Sequence, residues 1–489
     1  MGIFSSTLEL VEFASSSPER PKPRVGGQLL CRFAVRQGVR GHRRLGCYNA
    51  SVHVRGRGRV RVQAEMARKV RVPISSGGER TKRHVWFVNH HALVPSKDGG
   101  AGRHFLLAQA LPDEGWSASL IAASTSHYGT RQNISGRGRS LFLRDLGVPV
   151  SLARVRAHGS SLPGRALGML DFCFSALLPS TTASLRRPDV VVGSTVHPLA
   201  AYAGFRLSRR HGTPFVFEVR DVWPDRLVDL GFLPPGGLGE RLLRRLMLFL
   251  AKKADLVLSP LPHLDRWLGD NGISGKPFLW LSNGTDRVSS EPPPQRRLRS
   301  GAPFTFMYLG AQGNANALDD LMDAFDRARR LRPDLDLRLH FVGDGPRQKD
   351  FKEHAKTLAS GHYITFEDRI PQAEVRAKAQ EADCLVLAQH DSPAYRYGIS
   401  MNKLFMYMGV GRPSLLATSA SNNPIAEAEA GLSVRAGDQD ALARAMCKMA
   451  LLPAEERHAM ASMGLSHART HYTFEALAAR LAVGLDSVL

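Results

Sequence analysis

The chain has 489 residues, which is more than one hydrophobic core accommodates, so two or three domains are predicted. No apolar run reaches the ~18 residues that a membrane span needs, and no basic segment followed by an apolar one suggests a secretory signal. The five cysteines form no Cys-x-x-Cys pair, which argues against a disulfide framework or a zinc site and fits a reducing cytoplasm.

The formal net charge of +22 is unevenly distributed. Residues 1–83 carry a net charge of +13 and show little helical or strand periodicity, so we expect a basic, disordered extension. A nucleic-acid-binding arm and an arm for anionic lipid remain alternatives. We favour an extension without a function of its own, and we expect no nucleic-acid partner.

Short apolar strands alternate with helices in the first half of the chain. The predicted strands are 84–89, 117–123, 188–193, 214–219, 256–259 and 278–281. A glycine-rich loop precedes a predicted helix at 103–111, and a second helix is predicted at 198–210. This alternation is typical of a doubly wound α/β sheet and predicts a domain at 84–286.

The segment 287–302 is rich in Ser, Pro and Arg, which predicts an interdomain linker. The same alternation then restarts in a second domain at 303–489, with a helix at 317–330. The predicted strands of this half are 304–309, 337–342, 363–366, 384–388 and 414–417. Ligands of such sheets bind beyond the carboxyl ends of the strands, so a cleft between the two domains is expected.

The segment 397–413 is the most informative part of the second half. It begins with a glycine turn and Ser-x-Asn-Lys, continues as a short apolar helix, and stops at Gly411 and Pro413. Glycine lets backbone N–H groups approach an anion, and the positive end of the helix points at the same place. Lys403 adds a full charge, so the segment predicts a diphosphate site.

The second half resembles the retaining glycosyltransferases of family 4 (group 1), which have the GT-B fold of two Rossmann-like domains facing a cleft. The residues that carry this resemblance are Tyr-Leu-Gly at 308–310, Val-Gly-Asp-Gly-Pro at 342–346, 398–405 and Gly-Arg-Pro at 411–413.

The first half is similar to a bacterial surface-polysaccharide branch of that family. Its matching pieces are Ser-His at 126–127, Glu-Val-Arg-Asp-Val-Trp-Pro at 218–224 and Ser-Asn-Gly-Thr-Asp at 282–286. The resemblance runs from residue 84 to the C-terminus and implies that the last helix packs back on the first domain.

The resemblance implies a set of donor-binding residues at the strand ends of the second domain. They are Gly310, Asn314, Gly343, Gly345, Arg369, Gly398, Ser400, Asn402 and Lys403. Structural alternatives stay open for several of them. The glycines also fit plain turns, Asn316 fits a helix cap at least as well as a phosphate contact, and Ser400 fits the cap of the helix that follows it.

Members of the family usually carry two glutamates eight residues apart in the diphosphate segment. The corresponding residues here are Gly398 and Met406. The second glutamate often accepts hydrogen bonds from the ribose hydroxyls, and a thioether is a poor replacement. Ribose recognition therefore departs from the family pattern, and Asn422, Asn423 and Glu427 are candidates for partial compensation.

In the first domain, the resemblance implies an acceptor or phosphate loop and a reacting centre. The loop comprises Gly99, Gly100, Gly102 and Arg103, and the predicted catalytic residues are Arg220, Asp221 and His127. Arg220 stands where many relatives have a histidine; it cannot act as a base but can stabilise the leaving diphosphate. Asp221 would hold Arg220 in place, and the alternative is a purely structural Arg–Asp pair. For His127, the alternative is a surface position without a role in the reaction.

The sequence therefore predicts a retaining glycosyltransferase that moves a sugar from a nucleotide sugar, with UDP expected, to a lipid-linked oligosaccharide acceptor. No Asp-x-Asp motif lies in a suitable loop, so we expect neither metal nor other cofactor. The basic and apolar segment 241–253 fits a peripheral contact at the inner face of the cytoplasmic membrane, or else core packing. A catalytically impaired nucleotide-sugar-binding protein and a UDP-sugar epimerase are the alternative functions.

Overall fold

Three antiparallel strands belong to the N-terminal extension, which forms a unit of its own at residues 1–80: β1 (Leu29–Arg36), β2 (Leu45–His53) and β3 (Arg61–Val62). The computed structural model describes residues 29–36, 45–53, 61–62, 82–95, 100–125, 132–134, 136, 138–157, 162–195, 197–229, 231–294, 303–314 and 316–489. These strands were not predicted, because arginines interrupt the short apolar stretch that forms β1. Disorder of the rest of the extension stays a prediction.

An eight-stranded sheet forms the centre of the first domain. Its strands are β4 (Arg83–Val88), β5 (Trp116–Ala123), β6 (Ser140–Leu143), β7 (Val150–Ala153), β8 (Val190–Ser194), β9 (Phe215–Glu218), β10 (Leu256–Ser259) and β11 (Phe278–Trp280). The strand order is β11-β10-β9-β8-β4-β5-β7-β6, and every pair is parallel except β6 with β7. Continuous apolar runs form these strands because both faces of a parallel sheet are buried.

A six-stranded, fully parallel sheet forms the second domain. Its strands are β12 (Phe304–Leu309), β13 (Leu337–Val342), β14 (Ile364–Glu367), β15 (Cys384–Ala388), β16 (Ser414–Ala417) and β17 (Gly431–Val434). Their order, β14-β13-β12-β15-β16-β17, is the order of a dinucleotide-binding Rossmann sheet. The direction of winding reverses between β12 and β15, so ligands are expected beyond the ends of these two strands.

Helices cover both faces of the two sheets. They are α1 (Arg103–Ala110), α2 (Leu162–Ala176), α3 (Pro179–Thr182), α4 (Pro198–His211), α5 (Asp225–Asp229), α6 (Leu238–Lys253), α7 (Leu264–Asp270), α8 (Leu318–Leu331), α9 (Gln348–Thr357), α10 (Val375–Gln380), α11 (Asn402–Val410), α12 (Pro424–Glu427), α13 (Gln439–Leu451), α14 (Ala454–His471) and α15 (Phe474–Asp486). The GT-B arrangement of two Rossmann-like α/β domains is thus present.

The last helix, α15, lies in the core of the first domain although it follows the second domain in sequence. Leu477, Leu481 and Leu485 are fully buried there, together with residues of α1 and of the central strands. Asp486 at its end accepts hydrogen bonds from Arg83 and Trp116. The other face of the same sheet is covered by α2, α4 and α6. The chain thus crosses between the domains a second time, through the segment that leads into α15.

Candidate functional site

The loops after β12 and β13 pack against each other through glycines. A Cβ on Gly343, whose φ is +132°, would lie 2.3 Å from the carbonyl oxygen of Gly310. A Cβ on Gly345 would lie 2.1 Å from the carbonyl oxygen of Gln312. Since no larger residue fits either position, close packing accounts for both glycines, and a contact of either with a donor stays a prediction.

The ammonium of Lys403 lies at this edge of the sheet, in the first turn of α11. It donates hydrogen bonds to the Tyr308 hydroxyl at 2.7 Å and to the Asn316 side-chain oxygen at 3.2 Å. A Cβ on Gly310, whose φ is +147°, would lie 2.9 Å from Nζ, so only glycine leaves room here. Burial lowers the pKa of Lys403 to about 8. Both hydrogen-bond partners are neutral, which leaves the positive charge available to an anion.

The asparagines near Lys403 have different environments. Asn316 is buried, and its amide nitrogen donates to the Ala311 carbonyl at 3.2 Å. The N-cap of α8 is Ala317, with no side-chain cap, so the capping alternative for Asn316 is wrong. Asn314 and Asn402 are exposed, and their contacts with a donor stay predictions.

The segment before α11 joins the two domains. Gly398 has φ +101°, and a Cβ there would lie 2.4 Å from Cδ of Pro262. Ser400 Oγ accepts a 2.7 Å hydrogen bond from the Asn283 N–H, and the Asn283 side-chain amide donates to the Ser400 carbonyl at 2.5 Å. Met401, not Ser400, is the N-cap of α11, so the predicted capping alternative is wrong. Ser400 is already bonded within the domain junction.

The residues proposed to compensate for Met406 are held within the domain. Both polar atoms of the Asn422 side chain bind the backbone of Ile399, at 2.7 and 3.2 Å. Asn423 caps α12, and Glu427 accepts a hydrogen bond from the Asn423 N–H. Met406 itself packs against the core of the second domain. The geometry therefore disfavours compensation by Asn422, whereas contacts of Asn423 and Glu427 with the ribose stay predictions.

Arg369 follows β14 and is exposed, so its predicted role in donor binding stays a prediction. Its neighbour Glu367 is engaged elsewhere, since it accepts from Lys378 at 2.9 Å and pairs with His340 at 3.0 Å. The hydrogen bond from Lys378, more than that from His340, lowers the pKa of the Glu367 carboxyl. This carboxylate is a structural bridge between neighbouring elements.

A buried ionic cluster lies at the carboxyl end of β9 in the first domain. Glu218 pairs with His104 Nε2 at 2.5 Å and with Arg103 Nε at 3.2 Å. Burial raises the pKa of the Glu218 carboxyl, but the adjacent imidazole and guanidinium groups outweigh it and hold the pKa well below its usual range. Arg103 also donates to the carbonyls of Leu281 and Ser282. Its side chain is 4% exposed, which disfavours the predicted phosphate contact.

Arg220 lies beside this cluster and contributes to the low pKa of Glu218. Its backbone N–H donates to Thr195 Oγ1 at 2.8 Å, whereas its buried Nε has no hydrogen-bond partner among the described residues. Asp221 is exposed, and no ion pair joins it to Arg220 in the described structure. The predictions that Asp221 holds Arg220, and that the two form a buried structural pair, are therefore wrong. Arg220 keeps a polar atom for a ligand.

The remaining predicted residues are only partly described. Gly99 and His127 lie outside the described residues. Gly102 is the N-cap of α1, and a Cβ there would lie 2.9 Å from Cβ of Leu93. A Cβ on Gly100 would lie 3.5 Å from Cγ of Gln372, so this loop approaches the second domain across the cleft.

Two family models match the halves of the chain. Residues 99–284 match the "Glycosyl transferase 4-like domain" and residues 303–451 match "Glycosyl transferases group 1". Each half of the chain is thus similar to a glycosyltransferase domain, and the two-domain fold is GT-B. A curated relative, the probable glycosyltransferase WbjE of Pseudomonas aeruginosa, is 25% identical over 274 residues, which is 53% of this chain. The chain spans 64% of the length of that relative.

Solved structures share the fold of this chain. Sucrose-phosphate synthase from Thermosynechococcus elongatus superposes with a TM-score of 0.60 and 14% identity, over 83% of this chain and 98% of the other. Anabaena HepE in complex with UDP has a TM-score of 0.57 and 15% identity, over 83% of this chain and 100% of the other. Within the described part of the chain, no helix is both long and apolar enough to cross a membrane.

A histidine pair in the first domain was not predicted from the sequence. His90 follows β4 and His197 precedes α4, at the point where the first sheet reverses its winding. His90 Nδ1 lies 2.7 Å from His197 Nε2, and His197 Nδ1 accepts from the Ala200 N–H. Burial lowers the pKa of His197 to about 3, so this imidazole is neutral at physiological pH. The His-Pro step at 197–198, typical of a helix start after a strand, was the available signal.

Proposed function

We propose that this protein is a retaining glycosyltransferase that transfers one sugar from a nucleotide sugar, UDP-linked, to a lipid-linked oligosaccharide of a bacterial surface polysaccharide. The observation that carries the proposal is the partly buried ammonium of Lys403 beside Gly310, whose hydrogen bonds within the described part of the chain go to neutral groups. A partly buried cation without an anionic partner is unfavourable, and a donor diphosphate supplies that partner. The reaction would take place at the inner face of the cytoplasmic membrane.

The proposed reaction uses position and charge rather than a strong base. The acceptor hydroxyl oxygen forms a bond to the anomeric carbon as the bond from that carbon to the diphosphate oxygen breaks. The hydroxyl proton passes to the departing diphosphate on the same face of the sugar. Lys403 and Arg220 stabilise the negative charge that develops on the leaving group, and the latter has a free Nε for this purpose.

Calorimetric titration with UDP, followed by a thermal-shift screen of UDP-, GDP- and TDP-sugars, tests the donor site. We expect UDP and at least one UDP-sugar to bind and raise the melting temperature. Lys403→Met should abolish the shift, whereas Lys448→Met, which removes an exposed lysine of α13, should retain it. The proposal fails if no nucleotide sugar binds.

Transfer is tested with a membrane extract that contains lipid-linked oligosaccharides and a radiolabelled donor. Label in the lipid fraction supports the acceptor class. Incubation with donor alone separates the proposal from the alternatives: isomerisation of the sugar would indicate an epimerase. Donor binding without transfer to any lipid acceptor would indicate a binding protein.

A further inference from the structure

Exposed apolar side chains are concentrated on two helices of the first domain. On α2 they are Leu167, Leu170 and Phe174, with 51%, 42% and 68% exposure; on α6 they are Leu238, Leu242 and Phe249, with 74%, 54% and 39%. The spacing on α2 is i, i+3, i+7 and that on α6 is i, i+4, i+11, so each set forms one stripe along its helix.

The two stripes belong to one surface because α4 packs between α2 and α6. The ring of Phe205 on α4 lies 5.4 Å from that of Phe249 on α6. Arg206, the next residue of α4, lies near Cys173 on α2: burial raises the pKa of this thiol to about 11, and the charge of Arg206 opposes the rise. Two neighbouring residues of α4 therefore reach the two flanking helices.

Basic side chains surround these apolar stripes. The exposed ones are Arg165 on α2, Arg206, Arg209 and Arg210 on α4, and Arg241, Arg245, Lys252 and Lys253 on α6. The acidic residues of the three helices are not exposed: Asp171 pairs with Arg156, and Glu240 pairs with Arg244. We call this surface, formed by the outer sides of α2, α4 and α6, the apolar–basic face.

We propose that the apolar–basic face lies on an anionic lipid membrane. Apolar side chains between basic ones suit the interface between membrane and water. There the apolar side chains enter the boundary of the acyl chains, and the basic side chains contact lipid phosphates. A second copy of the chain fits less well, because a symmetric contact would place the same positive charges opposite one another. A nucleic acid would leave the apolar stripes exposed.

This inference rests on the proposed function, because a membrane contact would serve transfer to a lipid-linked acceptor. The segment between β9 and α6 carries Arg220 and leads directly into the exposed Leu238. In a parallel sheet, this segment lies at the carboxyl edge, as does the cleft. A membrane under α6 would therefore bring a lipid-linked acceptor to the edge of the sheet where transfer is proposed.

The test is co-sedimentation of the full chain with vesicles of phosphatidylglycerol and phosphatidylcholine, compared with phosphatidylcholine alone. The double variant Phe174→Glu, Leu242→Glu should bind the anionic vesicles at least about tenfold more weakly than the unmodified protein. The control variant Val483→Glu, Leu331→Glu changes residues of similar exposure, 71% and 56%, on α15 and α8, and should bind as the unmodified protein does.

Equal binding by the double variant would overturn the inference and assign any membrane contact to another segment, such as residues 1–83. Absence of vesicle binding by the unmodified protein would also overturn it, as would a dimer that the double variant dissociates. Calorimetric UDP binding by both double variants is measured in parallel. Because it should be unchanged, failure of the membrane inference can be told apart from failure of the proposed function.

Discussion

The ammonium of Lys403 lies 2.7 Å from the hydroxyl of Tyr308 and 4.5 Å from the centroid of its ring. That hydroxyl donates in turn to the Ala311 carbonyl at 2.7 Å. Burial raises the pKa of Tyr308, so the hydroxyl stays neutral at physiological pH. Tyr308 thus orients the ammonium without neutralising it, which is the property that an anion site needs.

The first prediction is that UDP binds more weakly as pH rises above 8. The pKa of Lys403 is about 8 in the free protein, and a bound diphosphate would raise it, so the complex holds more protons than the free protein. Affinity should therefore fall by up to about tenfold per pH unit above 8 and be nearly constant below 7. Calorimetry between pH 6.5 and 9.5 measures this profile.

Lys403→Arg provides the matched control for that profile. A guanidinium stays protonated throughout the range, so the variant should lose the pH dependence even if its affinity is lower. If the unmodified protein and this variant showed the same slope above pH 8, Lys403 would not be the titrating group.

The second prediction concerns Gly310→Ala. The new Cβ would lie 2.9 Å from Lys403 Nζ, at a φ of +147° that other residues rarely adopt. UDP affinity should fall by at least about tenfold, because the ammonium must move by several tenths of an ångström or more. Gly313→Ala, in the same loop, adds a Cβ whose nearest neighbour is Pro346 at 3.8 Å and should change affinity less than about twofold.

The third prediction separates Arg220 from Asp221. Arg220→Met should lower kcat by about 10²- to 10³-fold while UDP affinity changes little, since its role would be to stabilise charge in the transition state. Arg220→Lys should recover part of the loss. Asp221→Asn should be nearly silent because Asp221 is exposed and makes no ion pair with Arg220. A large effect of Asp221→Asn on kcat would contradict this assignment.

The sequence predicted the central strands well because apolar runs bounded by glycine or proline specify buried parallel strands. The limits of β12, β13, β15 and β16 agree residue for residue with the prediction. Strands β6 and β7 were missed, because a short antiparallel pair at a sheet edge gives only a four-residue signal in each strand.

The site was less predictable than the fold. Lys403 could be found because a glycine turn and a helix N-terminus mark it in the sequence. Long-range pairing could not be found: Glu218 meets Arg103 across 115 residues and Ser400 meets Asn283 across 117. Periodicity describes one element at a time and contains no information on which loops meet at the edge of a sheet.

The fourth prediction tests whether Arg103 stabilises the fold rather than binding phosphate. Arg103→Met would leave the buried Glu218 carboxylate with one cationic hydrogen-bond partner fewer, and should lower the free energy of unfolding by about 3–5 kcal/mol. Chemical denaturation measures this change. Arg444→Met, at an exposed position of α13, is the control and should be nearly neutral. A stable Arg103→Met protein that had lost acceptor binding would instead support the phosphate role.

The fifth prediction concerns the junction of the two domains. Asn283 binds both the hydroxyl and the carbonyl of Ser400, just before the helix that carries Lys403. Asn283→Ala should therefore reduce kcat more than UDP affinity, because the donor domain keeps its own contacts while its placement against the first domain loosens. Asn283→Ala removes the bond from the side-chain amide to the Ser400 carbonyl, whereas Ser400→Ala removes the bond from the Asn283 N–H to the Ser400 hydroxyl. Because each substitution removes a different hydrogen bond, their effects on kcat should be additive. Strong coupling in a double-mutant cycle on kcat would show that the junction reorganises as one unit, contrary to this expectation.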